Sequence, residues 1–537
     1  MKPIAYVSDE MYVAIPGVDA EFESLDGRTH VLLRSSAKGA FYADLPPGEY
    51  KVALSRDGYG PKTAHAVLGA EPWQFRLMSY KLTGYMWPKW VRSGERSQTR
   101  VHSREQYQLS LWRYGRVKEF VRQLAWVDEH GPFANMQVLP DGDFTQTGVR
   151  WNTVGYQAPP VWVTAPERSG LYYLWARTPS GDAFSFPWVV APAEPKAKIA
   201  VLASTNTWNA YNNFGGRSNY VSGARLPERP VVTSRQEVDR YTVPGGFNVW
   251  RPKDEEFSPL SFDRPEPYNH ILDEDPHETV KGRVQCGQAP GEWRLYAWLE
   301  EQGHAYDLYA EAQLHDGTLP LDSYRVVMLA IHPEYWTRQM YFALKKWVFE
   351  RGGRLMYLAG NGLNCEVVFD DDRMRCLSHC NSLHGELGGH SDDGTIEYES
   401  RMHRTLESEA NLLGVVCTAP GLMTAAPYRV IDDSHWIFEG TGLQNGDLFG
   451  EHTLHERVPG GASGHETDKM SPSSPKNTVL LAKGINADEG GSDITYFDTP
   501  SGGAVFSVGS ITWIPGMFPD ERVSRITSNV LERFLRS

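Results

Sequence analysis

Residues 325–362, RVVMLAIHPEYWTRQMYFALKKWVFERGGRLMYLAGNG, decide the fold. The stretch opens on a continuous apolar run, Val326 to Ile331. Such a run reads as a strand buried on both faces, the habit of parallel sheets. A helical pattern follows, with Met340, Ala343, Leu344, Trp347 and Val348 on one stripe at spacings of three and four. Gly352 and Gly353 stop that helix, because glycine accepts the left-handed conformation that helix ends often need. Arg354 to Leu358 then reads as a second buried strand. The pattern is a βαβ unit with a right-handed crossover.

Chemistry is expected where these strands end. His332, Pro333 and Glu334 leave the first strand at its carboxyl end, and Asn361 leaves the second. Open α/β sheets bind ligands in that crevice. If the chain is extended around the proline, residues i and i+2 project to one side. An imidazole and a carboxylate then converge, which fits either a metal site or an acid/base pair. The plainer alternative is a capping histidine beside a surface glutamate.

Working outward, the same alternation continues on both sides. Ile199 to Ala203 reads as a strand, Glu292 to Gln302 as a helix, Tyr306 to Ala310 as a strand and Glu521 to Leu535 as a last amphipathic helix. An α/β domain with a mostly parallel sheet is therefore expected over 197–537. Within it, Leu226 to Pro290 is rich in Pro, Gly and charge and reads as ordered loops over the sheet edge. Ala191-Pro192-Ala193-Glu194-Pro195 is a linker by composition. Before it, two all-β domains are expected. Residues 1–79 carry short alternating segments such as HVLLR and YKVALSR, punctuated by Pro46-Pro47-Gly48 and Asp57-Gly58. Residues 80–193 carry YQLSLWRYG, GVRWNTV and GLYYLWART, and a β-sandwich suits them. The dense aromatics there fit a sandwich core, an interface or a sugar-stacking surface.

Composition narrows the partners. The 537 residues are 41% hydrophobic with a formal net charge of -14 and no long basic run, which argues against nucleic acid and anionic membranes. The opening MKPIAYVSDEMY lacks the basic and apolar regions of a signal peptide, and no apolar run approaches the ~20 residues of a membrane helix. Five cysteines, few and odd in number, fit a reducing cytoplasm.

Four motifs occur in a fixed order: TNTWNAYNNFGGRSNY at 205–220, LSFDRP at 260–265, HPEYW at 332–336 and GGRLMYLAGNG at 352–362. In this the chain resembles the large, catalytic subunit of the N,N-dimethylformamidase family. The resemblance covers 197–537, and the preceding β-domains suit it, the first resembling small prealbumin-like sandwiches. It implies hydrolysis of small N-substituted amides at a mononuclear ferric iron held by a tyrosinate, a histidine and a glutamate. His332 and Glu334 match the family's H-x-E, and Tyr211 best matches the tyrosine, with Tyr220 as the alternative. A downstream GxxGxExD pattern matches residues 461–468 and implies Glu466 as a glutamate beside the metal. A homo-oligomer, with a possible small partner subunit, is the implied assembly.

That ligand set is chemically coherent. Phenolate, carboxylate and imidazole suit a ferric ion, and three protein ligands leave positions open for water and a small amide substrate. Glu466 would serve as general base and then acid, and Asn209 or Asn361 would donate to the developing oxyanion. A second group, Cys365, Cys376, His379, Cys380 and His384, departs from usual zinc spacings and reads more simply as reduced cysteines with loop histidines. The α/β domain also resembles class I glutamine amidotransferases, but Asn361 stands where those enzymes place a nucleophilic cysteine. The reading from another class is a non-catalytic or carbohydrate-binding protein that uses this scaffold.

Overall fold

A computed structural model describes residues 2–10, 13–70, 72–127, 141, 161–212, 214, 260–271, 287–377, 389–391, 393–455 and 457–536. The GVRWNTV strand, Tyr220, most of 226–290, and His379, Cys380 and His384 lie outside the described residues.

At the amino end, four antiparallel strands (His30–Arg34, Asp19–Ser24, Gly48–Ser55, Lys62–Leu68) face a three-stranded sheet (Ala40–Phe41, Ala5–Ser8, Trp73–Arg76). Alternation along these strands turns Phe22, Phe41, Tyr50 and Phe75 inward, where their rings meet edge to face. A three-stranded and a five-stranded sheet follow between Thr83 and Ala191. Tyr114, Leu171, Tyr173 and Trp175 of the five-stranded sheet belong to the same buried cluster as the C-terminal sheet.

That C-terminal sheet has nine strands. In chain order they are β1 (Ile199–Ala203), β2 (Asp307–Ala310), β3 (Val326–Ile331), β4 (Arg354–Ala359), β5 (Tyr428–Val430), β6 (Leu448–Phe449), β7 (Val479–Gly484), β8 (Asp493–Asp498) and β9 (Ala504–Ser507). The spatial order is β2-β1-β3-β4-β9-β8-β7-β5-β6. Pairing is parallel from β2 through β9. From β9 outward it is antiparallel. The sheet is thus parallel over one half. The other half is antiparallel, and residues 450–478, which join β6 to β7, carry the Glu466 segment.

Helices cover both faces. β3 is buried at every residue. Val327 and Leu329 pack with Met340, Tyr341, Leu344, Trp347 and Val348 of a helix over Arg338–Arg351. Val326, Met328 and Ala330 pack on the other face with the helices Gln288–Glu301 and Glu521–Arg536. The Thr337 hydroxyl caps the first of these helices by accepting from the Met340 amide. Gly352 ends it at φ 74°, and a Cβ on Gly353 would fall 2.1 Å from the Trp347 ring. Among the described residues no helix is long and apolar enough to cross a membrane.

Candidate active site

Four neighbouring strands, β1, β3, β4 and β9, deliver the site at their carboxyl ends. After β1 the chain enters α1 (Thr205–Ala210), and Tyr211 caps its carboxyl end. After β3 come His332 and Glu334, and after β4 comes Asn361. The segment carrying Glu466 lies along the chain that follows β9. Thr467 bridges Ser510, and the Asp468 amide donates to the Gly509 carbonyl.

The backbone is strained at both central strand ends. Ile331, a β-branched residue, has φ 58°, and the His332 amide donates back to the Ala330 carbonyl at 2.7 Å. This is the tight left-handed γ-turn, a rare conformation. Asn361 has φ 49°. The two turns aim His332 and Asn361 across the sheet end instead of along the strands. Thr207 of α1 holds the Glu334 amide through its hydroxyl at 3.0 Å, and the Asn206 side-chain amide donates to the Tyr335 carbonyl at 2.9 Å.

The side chains converge. The Tyr211 hydroxyl donates to Glu334 Oε2 at 2.9 Å, and His332 Nε2 lies 2.9 Å from that same oxygen. His332 Nε2 is 3.5 Å from Glu466 Oε2. Asn361 Nδ2 donates to Glu466 Oε2 at 2.8 Å and lies 3.4 Å from Glu334 Oε1. The proline-spanned pair thus meets at one point, with the phenol and a second carboxylate around it. The Tyr211 and His332 rings stand edge to face, 5.7 Å apart.

Charge is concentrated there. Burial works against the His332 imidazolium, but the Glu466 and Glu334 carboxylates outweigh it and push the ring up to about 9. Burial, reinforced by Glu334, pushes the Glu466 carboxyl up, while His332 opposes this. Asp468, raised to about 6 by burial, accepts from the Asn361 amide at 2.8 Å and from the Tyr357 hydroxyl at 2.6 Å. Asp468 therefore fixes the turn that presents Asn361.

Two sequence expectations read differently in three dimensions. Asn209 does not reach the cluster. Its Nδ2 donates to the Leu260 carbonyl at 3.1 Å and its Oδ1 accepts from Arg264 at 2.9 Å. Both polar atoms of that amide bond to the 260–264 segment, which makes it part of the fold's support. Asn361 does reach the cluster, but its Nδ2 is committed to carboxylates, which makes it an orienter of Glu466. Its Oδ1 is buried without a partner among the described residues. Asp468, Tyr357 and Arg264 were not singled out as site residues from sequence. Their positions lie within the quoted motifs, which was the available signal. Cys365 and Cys376 are buried among Leu260, Tyr335, Val367 and Met374, as core side chains.

The donors fit a metal ion. Metal–ligand bonds of about 2.1 Å put neighbouring donors about 3 Å apart, and Tyr211 Oη and His332 Nε2 each stand 2.9 Å from Glu334 Oε2. Among the described residues no three or more His, Cys, Asp and Glu side chains are grouped as metal ligands.

Residues 112–524 match the family described as N,N-dimethylformamidase beta subunit-like, C-terminal. The N,N-dimethylformamidase beta subunit of Paracoccus aminophilus is 27% identical over 435 residues, which are 70% of this chain and 54% of that protein. The beta subunit from Alcaligenes sp is 28% identical over 289 residues, 46% of this chain and 37% of that protein. The chain thus spans about half the length, or less, of these two relatives. Both are named beta subunits, where the motifs had suggested a large, catalytic subunit. Among solved structures, a DUF3823 family protein from Bacteroides ovatus aligns with 34% of this chain at 9% identity and a TM-score of 0.13.

Proposed function

The chain belongs to the N,N-dimethylformamidase beta subunit-like family, and from that premise we propose that it hydrolyses small N-substituted amides, N,N-dimethylformamide first, to a carboxylate and an amine. The carrying observation is the convergence of Tyr211, His332, Glu334 and Glu466 within hydrogen-bond range at the ends of adjacent strands.

In this reading Tyr211, His332 and Glu334 hold a mononuclear ferric ion. When bound, the ion supplies Lewis acidity toward the amide oxygen and the attacking water. The remaining steps fall to the chain. Glu466 takes a proton from water as it attacks the carbonyl carbon and returns it to the departing amine nitrogen. Asn361 Nδ2 fixes the carboxylate rotamer, and so the face from which that proton is moved. Asn361 Oδ1, buried without a partner among the described residues, would accept from water or from the amine as it leaves. Burial of Glu466 suits both halves of the task, since a raised carboxyl is the stronger base toward water and then holds the proton that it returns to the amine. The half-parallel sheet is, on this reading, an amidotransferase-like scaffold re-equipped with a metal centre. The relatives' name implies further subunits, and we extend that expectation to this chain.

The test is metal content together with turnover of N,N-dimethylformamide, followed as dimethylamine release. About one iron per chain is expected, with a visible phenolate-to-iron band. Tyr211→Phe should bleach the band and weaken iron binding while the fold survives. Zinc in place of iron, or a band that persists in Tyr211→Phe, would defeat the tyrosinate–iron assignment.

A further inference from the structure

The LSFDRP motif has no role in the chemistry above, yet its arginine is among the largest fully buried side chains in the chain. Arg264 is 1% exposed. Its Nε donates to the Ser261 carbonyl at 2.8 Å. Nη1 donates to the carbonyls of Asn212 at 3.1 Å and Phe214 at 2.8 Å. Nη2 donates to the Asn209 carbonyl at 3.0 Å and to Asn209 Oδ1 at 2.9 Å. All five donors of the guanidinium are used. Four of the five bonds go to residues 209, 212 and 214, which bracket Tyr211.

A six-residue helix such as α1 cannot hold its own shape in water, and the carbonyls at and beyond its end keep lone pairs that a side-chain donor can engage. The planar fork of an arginine can satisfy several carbonyls at once where a lysine cannot. Two asparagines close the clasp from the other side. Asn209 Nδ2 donates to the Leu260 carbonyl, and Asn212 Nδ2 donates to the Pro265 carbonyl at 2.7 Å. The motif is itself pinned to the preceding β-sheets. Asp263 accepts from Arg100 and Tyr85, and Glu266 accepts from Lys89 at 2.5 Å.

We infer that Arg264 is a positioning residue for the metal centre, clasping the chain on both sides of Tyr211 so that its hydroxyl reaches Glu334 beside His332. The inference rests on the metal reading above. It also gives the three-stranded sheet a task, because its Tyr85 and Arg100, with Lys89 in the bend that follows, steady the segment that steadies the tyrosine.

The experiment titrates metal-free protein with ferric ion and follows the visible band. Arg264→Lys should lower ferric affinity about 10–100-fold, the usual cost of losing support behind a ligand. Amide exchange at Tyr211 and Asn212, measured without metal, should quicken in the same variant. Arg113→Lys is the control, since Arg113 is also buried, pairs with Glu300 at 2.5 Å, and lies in a different contact. It should lower thermal stability and leave ferric affinity unchanged. Should Arg264→Lys fail to fold, Asn209→Ala removes part of the clasp and should weaken ferric binding less, with faster exchange. Wild-type ferric affinity in the Arg264 or Asn209 variant, or an equal loss in Arg113→Lys, overturns the positioning role while the metal reading stands. A wild type that binds no ferric ion overturns both, and that failure is visible without any variant.

Discussion

At the scale of single residues, the site depends on carboxyl groups in unequal surroundings. Glu466 is buried beside His332 and Asn361. Glu466→Gln keeps the shape and the Asn361 contact but cannot carry a proton. Turnover should fall about 10²–10⁴-fold with iron retained, and unchanged kcat would remove Glu466 from the mechanism. Glu409 is buried as deeply but serves the fold. Its carboxyl accepts from the Ser400 hydroxyl, and burial pushes it up to about 8 from an ordinary 4.5. Below 4.5 folded and unfolded chains both hold the proton. Between 4.5 and about 8 only the folded chain does, so this group makes stability fall as pH rises, by up to about 1.4 kcal/mol per pH unit. Urea unfolding of wild type and Glu409→Gln across pH 5–8 should show the shallower fall in the variant. Parallel curves would exclude Glu409 as the source. The sequence made the His332–Glu334 pair legible because residues i and i+2 share a side in extended chain. The fate of Asn209 was not legible. It depends on an arginine far along the chain, and nothing local encodes that contact.

At the scale of elements, the strands and helices of 325–362 follow from apolar periodicity, and the observed bounds, Val326–Ile331, Arg338–Arg351 and Arg354–Ala359, agree with it. The antiparallel half of the sheet was harder to read. Tyr428–Val430, Leu448–Phe449 and Ala504–Ser507 are only two to four residues long, and a short apolar run carries little signal of direction. The strand ends were unreadable for a further reason. The γ-turn at Ile331 is strained for its own side chain and is imposed by tertiary contact. Gly360 shows how tight that contact is. A Cβ there would lie 2.3 Å from the Glu466 carbonyl oxygen and 2.8 Å from the Ile511 amide nitrogen. Both are backbone atoms and cannot swing aside. Gly360→Ala should push the Glu466 segment off β4, costing about 1–3 kcal/mol of stability and much of the turnover. Crystallography of the variant would show the displacement. A variant with native kcat and native melting temperature would mean that the segment tolerates the shift.

At the scale of the whole molecule, 191–195 reads as a linker by composition, and one buried cluster has members on both sides of it. The buried cluster under β3 and β4 includes Tyr114, Leu171, Tyr173 and Trp175 from the preceding five-stranded sheet. Trp293 tilts against Tyr114 with centroids 4.5 Å apart and donates its indole N–H to the Gly115 carbonyl at 2.7 Å. The Tyr173 hydroxyl donates to the Asn269 carbonyl at 2.9 Å, and Arg113 pairs with Glu300. A fragment of residues 197–537 would expose Trp293 and its neighbours and strand Glu300 and the Asp263–Arg264 segment. Each large aromatic laid bare costs about 1.5–3 kcal/mol, and a domain's whole stability is about 5–15 kcal/mol. The fragment should therefore aggregate or unfold without a cooperative transition, and it should bind ferric ion poorly even when kept in solution. A longer fragment, 80–537, retains these contacts and should unfold cooperatively. Calorimetry of the two fragments and the full chain decides the matter. A cooperative transition in 197–537 close to that of the full chain would show that the shared core is dispensable and that the β-sheets before it are accessories.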